Sequence, residues 1–164
     1  MLKSNIVTIK GGKTLKRVMK NAKTIITERK NAIVEMQRNW DHIRSLNVSP
    51  KNFQKPFDVK ALYKRNIQLE NNIIDIKISQ MCLNFGLKSV DDMPTESSLP
   101  TIFVLSQLKD RKNNLLTIKT NGSKKDVVVF TKKFISDEVA QLDREIAKCE
   151  IELEKFNTNF NIAA

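Results

Sequence analysis

The chain has 164 residues, of which 40% are apolar and 6% aromatic, with only four glycines and four prolines. That suits one domain with a real core, and so few chain breakers favour long helices over a many-turned β fold. A formal net charge of +11 fits phosphate, nucleic acid, anionic lipid or acidic protein partners, or simply a lysine-rich solvated surface. His42 is the single histidine, and Cys82 and Cys149 fall at apolar positions of helical patterns, which argues against a metal site and for reduced, buried thiols. No run approaches the roughly 18 apolar residues of a transmembrane helix, and the first ten residues carry no signal-like apolar stretch, so a cytoplasmic location is expected.

Along the chain, residues 1–12 read as an arm: the β-branched stretch from Asn5 to Ile9 is a strand signal that Gly11-Gly12 ends. From Thr14, a plausible cap, to Arg44 the apolar residues recur at intervals of three and four (Leu15, Val18, Met19, Ala22, Ile25, Ile26, Ala32, Ile33, Met36, Trp40 and Ile43), which predicts a long amphipathic helix. Pro50 and Pro56 break the pattern, and Asp58 can cap a second helix running to Phe85. That helix carries two apolar stripes, one through Leu62, Leu69, Ile73, Ile76 and Leu83 and another through Ile67, Ile74, Ile78, Met81 and Phe85. A helix apolar on two faces needs two neighbours, and the second is assignable to another subunit.

Gly86 to Ser98 is a connection, and Pro100 suits the first turn of a third helix that runs through Val104, Leu108, Leu115 and Ile118. Asn121-Gly122 marks a turn, and Asp126 to Phe130 is the best strand signal, expected to pair with Ile6 to Ile9. Ser136-Asp137-Glu138 opens the last helix, whose seam through Val139, Leu142, Ile146, Cys149, Leu153, Phe156 and Phe160 steps alternately by three and four, as in a coiled coil. The expected fold is a single domain over 1–164, mainly α: one helical hairpin over 13–86, a second over 98–162 with a strand at 126–131, and a small β element. Glu28-Arg29-Lys30-Asn31 recurs as Asp110-Arg111-Lys112-Asn113 at an offset of 82, which suggests that the hairpins are an internal duplication.

Charge is uneven. Lys10 to Lys30 carries eight positive residues against one acid, Lys109 to Lys133 eight against two, and from Phe134 onward seven acids face three bases, so basic and acidic zones can pair within or between protomers. Arg29 and Arg111 lie within the apolar stripes of their helices. A guanidinium there needs an acceptor or a ligand. Either the two converge on one anion, with Lys30 and Lys112 beside them, or they form internal salt bridges to Glu70, Asp75 or an acid of the last helix, or they snorkel to water. Tyr63-Lys64-Arg65 could stack on a base and hold its phosphate, or be a solvated turn of helix two. Asn121-Gly122-Ser123-Lys124-Lys125 could cradle a phosphate with backbone amides and lysines. Gly11-Gly12-Lys13-Thr14 ends like a P-loop but has Val7 where the first glycine belongs, so nucleotide hydrolysis is not expected. No nucleophile has a legible base partner and no cofactor motif appears, which points away from an enzyme.

The order of these features resembles the septicolysin-like family of small helical bacterial proteins. The corresponding stretches are Thr14 to Ile33, Asp58 to Asn84, Leu99 to Ile118, Val127 to Phe130 and Val139 to Phe160, with Asn159-Phe160 where that family shows Asn-Trp. The extension from Asn5 to Gly12 departs from its pattern. The resemblance implies a helical bundle, but the cytolysis in the family's name does not transfer, because no membrane-inserting segment is visible. The expected function is non-catalytic binding of an anionic partner by a helical homo-oligomer. The partner would be a small phosphorylated ligand such as a nucleotide, sequestered by a phage or bacterial protein. Nucleic-acid binding and a structural role in virion assembly are the alternatives.

Overall fold

A computed structural model describes residues 6–8, 14–16, 21–94 and 97–159. Two short strands, β1 (Ile6–Thr8) and β2 (Thr14–Lys16), pair antiparallel, with Thr8 opposite Thr14 and Ile6 opposite Lys16. Helix α1 therefore begins later than expected, spanning Ala22–Leu46, and its cap is Asn21, whose side chain accepts from the Thr24 amide at 2.9 Å. Asparagine is a stronger N-cap than Thr14, and Thr14 instead lies in a ladder with the β-branched Ile6–Thr8. The Gly11-Gly12 turn, Val18, Met19 and the lysines at 10, 13 and 20 of the first basic zone lie outside the described residues.

Strand β3 (Val48–Pro50) follows α1 directly. Helix α2 (Val59–Asn84) starts at the predicted cap, Asp58, which accepts from the Lys60 and Ala61 amides. It ends in a Schellman turn in which the Leu87 amide reaches the Cys82 carbonyl at 2.8 Å and Gly86 takes a φ of 69°, the left-handed region where a side chain would be strained. A 3-10 turn over Val90–Asp92, closed by a Ser89/Asp92 capping box, leads to α3 (Leu99–Leu116) with Pro100 in its first turn. Strand β4 (Asp126–Val128) precedes α4 (Lys132–Asn159). The last helix opens before the predicted Ser136, because the Thr131 hydroxyl accepts from the Phe134 amide and so caps one turn earlier; Ile135 is buried as a result.

The expected partner of β4 is corrected. It pairs antiparallel with β3, Val48 opposite Val128 and Pro50 opposite Asp126, while the N-terminal strand pairs with β2. Adjacency decides this: Asn47 ends α1 at the point where the third helix's loop returns. Its fully buried side chain donates to the carbonyls of Lys119 (2.9 Å) and Phe130 (3.0 Å) and accepts from the Phe130 amide (2.7 Å), while its own carbonyl accepts from the Val129 amide. One amide side chain thus fastens the end of the first hairpin to the second.

The molecule is mainly helical: α1 packs on α2 and α3 on α4, and α2 also packs on α3. The main core draws Trp40, Ile43 and Leu46 from α1, Val59 and Tyr63 from α2, Leu108 and Leu115 from α3, and Ile135, Leu142 and Ile146 from α4, with Phe130 beneath the sheet. A smaller cluster of Ala32, Leu69 and Ile73 zips the first hairpin. The second neighbour of two-faced α2 is therefore α3 of the same chain, and the α4 seam places Leu142 and Ile146 in that chain's own core. The α–β–α order does occur twice, yet the helix ends and strand starts of the two halves are separated by differing offsets. Arg29 lies far from the end of α1, whereas Arg111 lies near the end of α3. The motif repeat and the element repeat do not share a register.

Candidate functional site

Three helices each contribute one stripe to a cleft of about 280 Å³. From α1 come Arg29, Ile33, Met36, Gln37, Trp40 and Arg44; from α2, Ile73 and Lys77; from α3, Gln107, Asp110 and Asn114. Each set recurs at three- or four-residue spacing, so each occupies one face of its helix. The floor is apolar, and cations stand towards both ends, roughly 22 Å apart along α1.

The two ends differ. Arg44 is satisfied: it meets Asp41 at 2.6 Å and donates to Asn114 Oδ1 at 3.0 Å. At the other end, among the described residues, Arg29 donates only to Gln80 Oε1, at 3.1 Å, and its buried Nε has no partner. Lys77 stands across from it, its ammonium 5.5 Å from the centre of the Phe103 ring. Burial, and then the charge of Arg29, lower the proton affinity of Lys77, with Asp110 opposing less strongly. Among the described residues neither Arg29 nor Lys77 forms an ion pair. Gln107 sits on the same α3 stripe, only 6% exposed, with its Oε1 buried and unpartnered. Two cations without an ion pair among the described residues and an unsatisfied buried amide therefore share the cleft with the carboxylate of Asp110, and unmade hydrogen bonds there are costly.

Arg111 does not join them. Its Nε stands 3.0 Å from Glu70 Oε2, and Glu70 is almost wholly buried. Glu70 and Gln80 are ten residues apart on α2, so Arg29 and Arg111 are held about 15 Å apart along that helix. The convergence of the two arginines on one anion is corrected: Arg111 is spent on the internal salt bridge and only Arg29 faces a cleft. Burial of Glu70 outweighs the Arg111 charge and pushes its carboxyl up to about 7.

The remaining expected residues are dispersed. Arg65 grips Glu35 through two nitrogens, at 2.7 and 3.2 Å, tying α2 to α1. Lys112 pairs with Asp143 at 2.6 Å, tying α3 to α4. Lys30 and Lys64 are exposed. Tyr63 is not available to stack on a base: it is buried between Trp40 and Phe130 and donates to Glu138 Oε2 at 2.8 Å, so burial and that carboxylate hold its phenol well above the usual range. Asn121 and Lys124 lie in an exposed loop, but its cradle is filled from within, because the Ser123 amide donates to Asp126 Oδ2 at 2.7 Å. A Cβ on Gly122 would sit 3.0 Å from Asp126 Cβ, which is why the loop needs glycine there.

Lys77, Gln107 and Arg44 were not singled out in the sequence. Arg44 was legible as the far end of the Arg29–Ile33–Trp40 stripe, but Lys77 and Gln107 acquire meaning only once α2 and α3 face α1. Among the described residues no group of three His, Cys, Asp or Glu side chains could hold a metal ion, and no helix is long and apolar enough to cross a membrane. Comparison of the chain with protein-family models, curated proteins and solved structures finds no match.

Proposed function

We propose that this protein is a non-catalytic binder of a small, multiply charged anion, a phosphorylated ligand, in the cleft between α1, α2 and α3. The observation that carries the reading is the pair Arg29 and Lys77, both facing the cleft with no ion-pair partner among the described residues. A phosphate between them would accept from Arg29 Nε and from the ammonium, and its charge would offset the burial and the Arg29 repulsion that together lower the proton affinity of Lys77. Gln107 adds an acceptor for a hydroxyl or amino group on the remainder of the ligand, and the apolar floor of Ile33, Met36 and Ile73 would cover its carbon skeleton. Arg44, already neutralised by Asp41, gives the far end of the cleft hydrogen-bonding character with less net charge.

The test is calorimetric titration of the purified chain with inorganic pyrophosphate, alongside a native mass spectrum that reads oligomeric state and any retained anion. Arg29→Ala and Lys77→Ala should each weaken pyrophosphate binding about tenfold or more, the loss expected for one charged hydrogen bond. Arg65→Ala, which removes an exposed ion pair, should leave it unchanged. Equal binding by all three variants would end the reading.

A further inference from the structure

The end of the molecule that carries the β3–β4 pair has a chemistry unlike the cleft. Two loops meet there: the Lys51 amide donates to the Lys125 carbonyl at 2.9 Å, extending the ladder one step beyond Pro50 and Asp126. Residues 51–57 and 119–125 together contain five lysines and no acid. Lys51, Lys119, Lys124 and Lys125 are exposed. The acids that follow the two segments in sequence, Asp58 and Asp126, are directed at backbone amides, those of Lys60 and Ser123.

Two phenylalanines project among these lysines, Phe53 at 49% and Phe57 at 44% exposure. The Phe57 ring lies 4.4 Å from the imidazole of His42, tilted by 36°, so one face is supported from below and the other is open. The amide of Phe53 donates to the Pro50 carbonyl, which fixes the turn that presents it. Half-exposed rings beside exposed lysines match the pattern that binds single-stranded nucleic acid, in which bases stack on the rings and lysines follow the phosphates. An anionic bilayer is a poorer fit. Inserting both rings would also take Asn52, Gln54 and the charged Lys55 out of water, at a large cost.

We infer that the loops 51–57 and 119–125 form a binding surface for single-stranded nucleic acid, with Phe53 and Phe57 as the stacking platform. The surface shares none of the residues that line the anion cleft. Fluorescence anisotropy of a labelled oligothymidylate, titrated with the full chain at rising salt, tests the assignment. Binding should fall steeply with salt, and Phe53→Ala with Phe57→Ala should weaken it roughly tenfold or more. Both rings are half exposed, so the double variant should keep the native circular dichroism. Arg29→Ala should bind the oligonucleotide normally, which separates this site from the cleft. The assignment is overturned if the oligonucleotide does not bind at low salt or binds the double variant equally well. It is overturned as well if a duplex binds as tightly, or if vesicles of anionic phospholipid are preferred.

Discussion

Replacing Asn47 with alanine removes three side-chain hydrogen bonds and leaves the amide and carbonyl of Phe130 unsatisfied beside a buried ring. The cost should be about 2 to 4 kcal/mol, seen in urea as a lower midpoint with an unchanged slope. Glu70 tests electrostatics at the same scale. Its carboxyl is raised to about 7 from an ordinary 4.5, so the folded chain holds that proton more tightly than the unfolded chain does. The contribution of Glu70 to stability is then fully present below pH 4.5 and is lost as pH rises towards 7, by an amount on the order of 3 kcal/mol at most. Glu70→Gln should flatten that part of the profile; an unaltered slope would mean that other groups set it. These residues were unequally legible. Glu70 was named in the sequence as an acceptor for a core-facing arginine. Asn47 was not, because an asparagine after a helix reads as a stop signal until the opposite loop supplies two carbonyls and an amide.

Helix positions and faces followed from periodicity, and the starts of α2 at Asp58 and of α3 at Pro100 from their cap and proline signals, but the starts of α1 and α4 did not. The caps of α1 and α4 moved, in one case to a stronger asparagine beyond Thr14 and in the other to Thr131, before the acidic turn. Removing the latter with Thr131→Ala should cost about 1 kcal/mol and loosen the first turn of α4 in amide exchange. The seam of α4 was readable from Val139 through Leu142 and Ile146 to Cys149, with its last member, Phe160, outside the described residues, and its centre is correspondingly sensitive. Leu142 is 2% exposed, and Leu142→Ala should cost about 2 to 5 kcal/mol by chemical denaturation, against little change for Ile151→Ala on the exposed outer half of the same helix. Strand pairing was the least legible feature. Three-residue strands carry almost no register information of their own; the partner of β4 is set by the Asn47 bonds and by the one-residue step from α1 into β3.

At the scale of the whole molecule, two basic regions have different forms. One is a cleft in which Arg29 and Lys77 oppose each other over an apolar floor; the other is an open loop surface where lysines surround two rings. The sequence reported a net charge of +11 for the whole chain and pointed at Arg29, but it could not show that Arg111 pairs with Glu70 or that the partner of Arg29 comes from α2. Pairings across helices depend on the rotation of each helix about its axis, which a single amphipathic pattern fixes only loosely. The most direct test of the cleft is to follow the side-chain NMR signal of Lys77 through a pH titration, with and without inorganic pyrophosphate. Lys77 should lose its proton below the ordinary lysine range in the free protein and regain a higher pKa when pyrophosphate binds, a change that Arg29→Ala abolishes. A Lys77 signal indifferent to pyrophosphate, while the exposed lysines respond, would contradict the assignment.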